Sequence, residues 1–346
     1  MSRAGQLSKI KKTNVASDIN KEEIYYQLAD TFSAALLPQE FHRLSLKVAK
    51  SVITTSSKDL AKSHLFLRSL EHMLMPEASL NSDVEIYLVD RSDFGADFKF
   101  PAIPFRHFND HRISFFLDDT TGMLEFFDRE RAIFYLLAPN MDEFETGLSS
   151  SSMQHLKQIL NSLGYINVHG AVVGRDGEGI FLTNRGGSGK SSLMAYAIAQ
   201  GAQSLGDDFL TIHPADVSTF YSLYRQFKLA KTSPAFDLAQ SKYPSLGHFD
   251  GKEVFRIPVD DGGTFLPSMR VKEILIPFIG ERLEIREIDP EEALKQILPS
   301  TLFLNGAIVG TIQTVKSLIQ NIPTRTLELT SDLAAAYSLL EGRLAK

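Results

Sequence analysis

The stretch Asn184-Arg185-Gly186-Gly187-Ser188-Gly189-Lys190-Ser191-Ser192 decides the fold, because a glycine-rich turn that ends in Gly-Lys-Ser is typical of loops that bind polyphosphate. In such a loop the backbone N–H groups point inward, the lysine reaches the β- and γ-phosphates, and the serine hydroxyl coordinates Mg²⁺. The positive end of the following helix strengthens the attraction. The sequence therefore predicts that the whole stretch binds ATP and that Ser191 is a ligand of Mg²⁺.

The residues on either side of this stretch provide the context that a phosphate-binding loop needs. Residues 179–183 are apolar and typical of a buried strand, and residues 192–200 are typical of a helix that Gly201 closes. Asn184 stands where the G-x-x-x-x-G-K-[ST] pattern has its first glycine. Because asparagine tolerates a positive φ better than most residues, we expect either that Asn184 adopts one or that Gly186 and Gly187 supply the flexibility instead. A glycine-serine loop that binds no ligand is the alternative.

Composition narrows the class of protein. The chain has 346 residues, enough for one large or two modest domains, and its net charge of -6 gives no reason to expect nucleic-acid binding. It contains no cysteine, which excludes disulfides, thiolate catalysis and cysteine zinc sites. No apolar run is long enough to cross a bilayer, and the start of the chain lacks a signal-peptide core. We expect a cytoplasmic protein that binds neither nucleic acid nor membrane, and a homo-oligomer is compatible with these features.

The part of the chain before the loop divides into segments of different pattern. Residues 1–20 are polar without periodicity, which predicts a disordered tail. Residues 21–80 carry apolar residues at helical spacing, such as Leu44 with Val48, and predict a helical N-terminal region. We expect residues 81–346 to form one further domain.

Within that domain, residues 81–145 form the β-rich front half, and residues 146–346 contain the loop and the C-terminal part. Short aromatic segments separated by Asp, Gly and Pro predict several antiparallel strands in the front half, at residues 84–89, 112–117, 122–127 and 132–137. The histidines and aspartate of residues 105–111 are compatible with a metal site, although a polar loop is the favoured interpretation. Residues 149–163 predict an amphipathic helix that leads into the core.

Three residues near the loop suit phosphoryl transfer to a hydroxyl. Asp207 and Asp208 follow the loop helix, and the short strand–loop–helix–strand unit is expected to return them to the same edge of the sheet. In an extended pair their side chains point to opposite faces, so one faces the γ-phosphate and the other binds metal or supports the loop. His169 precedes a strand and is placed to pair with an active-site carboxylate. A solvated Asp-Asp turn and a structural histidine are the alternatives.

In order and spacing, His169-Gly170, the loop to Ser191 and residues 201–208 resemble the catalytic core of the HPr kinase/phosphorylase family of serine kinases, which is related to the phosphoenolpyruvate carboxykinase fold. The resemblance implies that Asp208 is the proton acceptor, that His169 is an active-site residue, and that the loop lysine and serine hold ATP and Mg²⁺. The chain looks like a divergent member, with Thr232 in the region where the family has a magnesium-binding glutamate.

The sequence predicts an α/β fold with a phosphoenolpyruvate-carboxykinase-like P-loop kinase core and a mixed sheet. The predicted activity is transfer of the γ-phosphoryl group of ATP to a Ser or Thr hydroxyl of a protein or peptide, with Asp208, His169 and Lys190 as catalytic residues and with Ser191 and Asp207 at the metal. A kinase for small hydroxylated metabolites and an inactive nucleotide-binding regulatory module are the alternatives. The basic, aromatic residues 221–231 either contact phosphate or acceptor, or form a plain surface helix.

Overall fold

The architecture is that of a computed structural model. It describes residues 21–36, 39–67, 70–94, 107–109, 112–118, 122–142, 155–249, 251–258, 263–305 and 308–345. The chain is a mixed α/β structure in which helices cover sheets that contain both parallel and antiparallel strands. The tail at residues 1–20, predicted to be disordered, lies outside the described residues. Across the described ranges, no helix combines the length and apolar character that a membrane span requires.

The first sheet lies in the N-terminal half. Its strands are β1 (His42–Val48), β2 (Ser51–Ser57), β3 (Val84–Asp90), β4 (His107–Asn109), β5 (Ile113–Leu117), β6 (Leu124–Asp128) and β7 (Ile133–Ala138). They follow the order β1-β2-β3-β7-β6-β5-β4. Strands β5 to β7 pair antiparallel as predicted, whereas the predicted strand β3 pairs in parallel with both β2 and β7. Strand β4, which pairs antiparallel with β5, lies where a polar loop was the favoured interpretation. The possible metal ligands of residues 105–111 lie mostly outside the described residues.

Helices cover both faces of this sheet because side chains alternate along each strand. The helices are α1 (Lys21–Leu36), α2 (Leu60–Leu67) and α3, which includes residues 155–162. In β3, Ile86 and Leu88 pack with α2 and α3, whereas Tyr87 and Val89 pack with α1. The amphipathic helix predicted at residues 149–163 is confirmed from residue 155 onwards, and its start lies outside the described residues.

The prediction that residues 21–80 form a helical region is wrong between α1 and α2, where β1 and β2 lie. Positions i and i+4 share a face both in a helix and in a strand, so the Leu44 and Val48 spacing does not distinguish the two. The run of Val52, Ile53 and Thr54 does, because β-branched side chains favour strands. The strands of this region complete a sheet with those of residues 81–145, and the predicted domain boundaries stay a prediction.

The C-terminal half contains two further sheets. Its strands are β8 (Ile166–Val168), β9 (Ala171–Arg175), β10 (Glu178–Leu182), β11 (Gln203–Ser204), β12 (Leu210–His213), β13 (Asp216–Ser222), β14 (Gln226–Leu229), β15 (Ser245–Phe249), β16 (Lys252–Arg256), β17 (Ser268–Ile279), β18 (Glu284–Glu287) and β19 (Thr324–Leu329). The main sheet has the order β11-β9-β10-β17-β13-β12-β8, with β19 beside β17 and β18 beside β19. A small antiparallel sheet has the order β14-β16-β15. Residues 221–231 thus carry strand β14 and not a surface helix.

Helices also cover both faces of the main sheet. They are α4 (Lys190–Ala199), α5 (Phe236–Lys242), α6 (Pro290–Leu304), α7 (Ile308–Asn321) and α8 (Leu333–Leu344). In β10, Ile180 and Leu182 pack on the side of α4 and α8, whereas Phe181 packs on the side of α6 and α7. Asp289 caps α6, since its carboxylate accepts hydrogen bonds from the first turn and Pro290 is the first helical residue. Tight packing on both faces holds the loop between β10 and α4 in place.

Candidate functional site

The glycine-rich loop connects β10 to α4 at the carboxyl edge of the main sheet. Because β10 and β17 pair in parallel, both strands end at this edge, where ligands bind in open α/β sheets. A cavity of about 250 Å³ lies there. Its lining includes residues 186–192 of the loop together with His169, Asp208, Lys228 and Lys252. The topology therefore brings together residues that are far apart in the sequence.

The loop backbone leaves its N–H groups available to an anion. Gly187 and Gly189 have φ values of 80° and 93°, in the left-handed region that favours glycine. Gly189 is the N-cap of α4 and has no side chain that could cap the helix, so the N–H groups of the first turn point to the cavity without a side-chain acceptor. A Cβ atom at Gly189 would also lie 2.9 Å from a methyl group of Leu329. This helix start has the geometry of a phosphate-binding site.

Asn184 does not adopt a positive φ, the first of the two expectations for it, since it is absent from the residues of the described chain with positive φ. Its side chain instead bridges two backbone groups. The Asn184 amide donates to the Pro277 carbonyl of β17 over 2.8 Å, and its Oδ1 accepts from the backbone N–H of Arg185 over 2.7 Å. Asparagine therefore replaces the first glycine of the pattern by anchoring the loop to β17.

Lys190 is buried, with 4% of its surface exposed. Its ammonium donates to the carbonyls of Asn184 and Arg185 over 2.7 and 3.0 Å, and it lies 3.4 Å from the Ser188 hydroxyl. Burial lowers the pKa of Lys190, while the negative charges of Asp207 and Asp208 oppose this effect. A buried ammonium next to an uncapped helix start favours binding of an anion. The negative charge of a phosphate compensates for the hydration that the ammonium loses on burial.

The two aspartates reach the same edge through β11. Strands β10 and β11 both pair antiparallel with β9, so they run in the same direction and end at the same edge. Gly206 then turns the chain with a φ of 90°, and a Cβ atom there would lie 2.2 Å from the Tyr224 carbonyl oxygen. Asp208 itself has a φ of 71°. A positive φ at a residue other than glycine is strained, and such strain clusters at functional sites.

Asp207 is buried beneath the loop, with 2% of its surface exposed. Neither of its carboxylate oxygens has a hydrogen-bond partner of ordinary geometry among the described residues. Burial and, after it, the charge of Asp208 together raise the pKa of Asp207 to about 6, against the opposing effects of the nearby Ser191 hydroxyl and of Lys190. Buried carboxylates normally have partners, so this one fits a site that a cation completes.

Asp208 lines the cavity, and its carboxylate has two partners. The Lys228 ammonium lies 2.7 Å from Oδ2, and the His169 Nε2 atom lies 3.5 Å from Oδ1. Burial acts to raise the pKa of Asp208, but the hydrogen bond from His169 and the charge of Lys228 outweigh it and hold this pKa well below its ordinary value. Asp208 is therefore ionised at neutral pH, and its neighbours fix its orientation.

The residues present fit Mg²⁺ bound together with a nucleotide. Within the described ranges, no cluster of three or more His, Asp or Glu side chains is able to hold a metal ion. Mg²⁺ does not need such a cluster, since it commonly binds through one or two carboxylates, water and substrate phosphates. The partnerless Asp207 carboxylate beside the Ser191 hydroxyl matches that pattern, and the Gly186 to Ser192 backbone matches the phosphates.

The cavity thus brings together most of the residues predicted from the sequence. His169, the loop residues Gly186 to Ser192 and Asp208 line it, and Asp207 lies beneath it. Asn184 and Arg185 do not line it, and their contact with the nucleotide stays a prediction. The assigned roles of all these residues likewise stay predictions.

Sequence reasoning missed part of the cavity. Lys228 was included only within a basic stretch with two interpretations, and Lys252 was not singled out at all. Both lie on the small sheet, on β14 and β16, and reach the cavity by tertiary packing. No local pattern distinguishes these lysines from solvated ones.

Ser192 links the loop to another segment of the cavity lining, since its hydroxyl lies 2.7 Å from that of Ser233.

Comparison with known proteins gives matches among solved structures alone. No protein-family model matches the chain, and no curated protein matches it. Among solved structures, the chain is similar to the Hpr(Ser) kinase/phosphatase from Coxiella burnetii, with a TM-score of 0.27 and 10% sequence identity. The match covers 51% of this chain and 95% of that one. Similarity at this level carries no argument about fold or function, and the functional argument rests on the site alone.

Proposed function

We propose that this protein is an ATP-dependent kinase that transfers the γ-phosphoryl group to a Ser or Thr hydroxyl of a protein or peptide. One observation carries the proposal. The Asp208 carboxylate faces the same cavity as the glycine-rich loop and the start of α4. A group that binds phosphates and a group that accepts a hydrogen bond from a hydroxyl therefore share one space, as phosphoryl transfer to a hydroxyl requires.

In this proposal the loop holds the nucleotide. The backbone N–H groups of residues 186–192 and the Lys190 ammonium bind its phosphates, and Lys252 adds positive charge to the same cavity. The Ser191 hydroxyl and the Asp207 carboxylate hold Mg²⁺, which neutralises charge on the phosphates. When the cation binds, the buried carboxylate of Asp207 gains the partner that it lacks among the described residues.

Asp208 acts on the acceptor. The acceptor oxygen forms a bond to the γ-phosphorus, the bond from that phosphorus to the bridging oxygen breaks, and ADP leaves. A carboxylate with a lowered pKa is a weak base but an ionised hydrogen-bond acceptor. Asp208 therefore mainly orients the hydroxyl, and it takes up the proton late, when the new bond has largely formed. His169 and Lys228 hold its two oxygens in place.

The proposal is tested by incubating the wild-type protein and the Asp208→Asn variant with labelled ATP, Mg²⁺ and candidate acceptors. Mass spectrometry then identifies phosphorylated Ser or Thr residues. We expect the variant to retain nucleotide binding and to lose transfer by at least a hundredfold, the usual contribution of a positioned acid–base group. Equal transfer by both proteins contradicts the role of Asp208.

The same experiment separates two other candidates. Label found only on small hydroxylated compounds indicates a metabolite kinase, which uses the same catalytic residues. Nucleotide binding without transfer to any acceptor indicates a regulatory module that has lost catalysis. One observation favours the regulatory module: Thr232, which has no carboxylate, lines the cavity where the HPr kinase/phosphorylase family has a magnesium-binding glutamate.

A further inference from the structure

Lys157 is a half-buried lysine beside the candidate site, and the proposed function leaves it without a role. It lies on α3, whose Leu156 and Leu160 pack into the core of the first sheet. Its ammonium lies 4.5 Å from the centroid of the Phe209 ring, and Phe209 directly follows Asp208. A helix of the first sheet therefore brings a cation next to the proposed catalytic carboxylate.

This cation has no anionic partner in the described part of the chain. Its contact there is with the face of Phe209, and it forms no ion pair. The negative charge that acts on Lys157 is that of Asp208, whose carboxylate already pairs with Lys228. Burial lowers the pKa of Lys157, and the charge of Lys228 lowers it further. Of the two ammonium groups influenced by this carboxylate, only that of Lys228 pairs with it, so the Lys157 ammonium favours binding of a second anion.

The position of Lys157 indicates that this anion is not a nucleotide phosphate. Lys190 and Lys252 line the phosphate cavity, whereas Lys157 does not. The charges of Asp208 and Lys228 influence the pKa of Lys157. The pKa of Lys190 is influenced by Asp207, Asp208 and Lys252. Lys157 therefore lies on the Phe209 side of Asp208, away from the glycine-rich loop.

An acceptor must enter from a side of Asp208 that the nucleotide leaves free. The Phe209 side is suitable, because aromatic surface and positive charge occur together there. The Lys228 ammonium lies 5.9 Å from the Phe209 ring and 4.9 Å from that of Phe249 on the exposed strand β15. Such a surface binds the apolar parts of a peptide and pairs with an acidic side chain near the hydroxyl.

We propose that Lys157 recognises the acceptor by binding an anionic group next to its hydroxyl, and that the acceptor is an acidic peptide segment with a Ser or Thr. The inference rests on the proposed function, because it concerns the acceptor side of the same site. Lys157 pairs with the carboxylate of the acceptor and places the hydroxyl at Asp208. It is a specificity residue and takes no part in the bond-making step.

The test uses full-length protein, labelled ATP and a serine peptide library in which each position around the serine is fixed as Glu, Gln or Lys. Wild-type protein should prefer Glu over Gln at one or two positions by roughly tenfold in kcat/KM, the effect of one charge-assisted pair. Lys157→Met should remove that preference, and Lys157→Glu should reverse it in favour of Lys. Lys157→Arg and Lys316→Met, at an exposed position on α7, are matched controls that should retain it. A second set of acceptors, L-serine and glycerol 3-phosphate against glycerol, identifies an anionic small molecule as the source of the charge.

The outcomes separate this inference from the proposed function. Transfer without acid preference, or a preference that survives in Lys157→Met, overturns the inference and leaves the kinase proposal in place. No transfer to any acceptor from a protein that binds Mg-ATP overturns both. A Kd for Mg-ATP that is unchanged in all Lys157 variants supports a role on the acceptor side, whereas a parallel loss of nucleotide binding and thermal stability indicates a merely structural lysine.

Discussion

Replacement of each neighbouring aspartate by asparagine should change the stability of the free protein in opposite directions. Asp207 is a buried carboxyl whose oxygens lack hydrogen-bond partners of ordinary geometry in the described chain, although the Ser191 hydroxyl is nearby, whereas Asp208 pairs with Lys228 and His169. At pH 7.5, without nucleotide or metal, Asp207→Asn should therefore stabilise the protein and Asp208→Asn should destabilise it. The two substitutions remove the same charge one residue apart, so each is the matched control of the other.

The magnitude for Asp207 follows from its pKa, which rises from 3.8 to about 6 in the folded protein. This rise corresponds to about 3 kcal/mol in favour of the unfolded state above pH 6, at about 1.4 kcal/mol per pKa unit. An asparagine amide that also lacks partners costs about 1–2 kcal/mol of this gain. Asp207→Asn should then raise the stability by about 1–2 kcal/mol, and the melting temperature by about 2–4 °C.

The pKa shifts of the two aspartates make the stability of the free protein depend on pH in opposite ways. Between pH 3.8 and about 6, the folded protein binds more protons at Asp207 than the unfolded chain does, so its stability falls as the pH rises through this window. The advantage of Asp207→Asn should therefore be largest above pH 6 and should shrink towards pH 4. The pKa of Asp208 is lowered, so its stabilising effect is present at neutral pH and is lost in acid. Loss of its pairing should cost about 1–3 kcal/mol at pH 7.5.

The assay is thermal unfolding followed by circular dichroism from pH 5 to pH 8, repeated with Mg²⁺ and a non-hydrolysable ATP analogue. The wild-type protein should gain more from Mg²⁺ plus analogue than Asp207→Asn does, because the cation supplies the missing partner. Two results refute the reasoning: melting temperatures that shift in the same direction in both aspartate variants, or a difference between wild type and Asp207→Asn that does not depend on pH.

Three further substitutions test separate parts of the site. Asn184→Gly should lower the free energy of unfolding, measured by chemical denaturation, by about 1 kcal/mol, because it removes the hydrogen bond to the Pro277 carbonyl. A stabilised variant would indicate that the native backbone favours glycine there. His169→Ala should raise the pKa of Asp208, so the acidic limb of the kcat/KM profile should move to higher pH, and an unchanged profile would separate His169 from Asp208. Gly206→Ala should reduce the yield of folded protein, because its Cβ atom would lie 2.2 Å from the Tyr224 carbonyl oxygen, and a normal melting temperature would contradict that packing.

Much of the fold follows from the sequence because local signals agree there. The Asp289 cap of α6, the turn at Asp176 and Gly177 with its positive φ values, and the apolar run of β10 each determine their structure within a few residues. The strand β1 was mistaken for a helix because an i, i+4 spacing is common to both periods. Parallel pairing of β3 with β2 and β7 leaves no mark in a local pattern.

The candidate site likewise contains features that the sequence predicts and features that it does not. The loop, Asp207 and Asp208 were predictable because the turn chemistry and the short return to the sheet edge are local. The φ of 71° at Asp208 was not, since it depends on the turn at Gly206, which packs closely against the Tyr224 carbonyl. Lys157 and Lys252 come from other elements, and only tertiary packing brings them near Asp208.

The central claim is that the loop holds a triphosphate with a cation at Asp207 and with its last phosphate at Asp208. A crystal structure with Mn²⁺ and a non-hydrolysable ATP analogue tests it most directly, because Mn²⁺ is located by its anomalous scattering. The account predicts Mn²⁺ at the Ser191 hydroxyl, bound to Asp207 directly or through one water, with the γ-phosphate beside Asp208. A nucleotide bound away from the loop, or a cation without contact to Asp207, would contradict it.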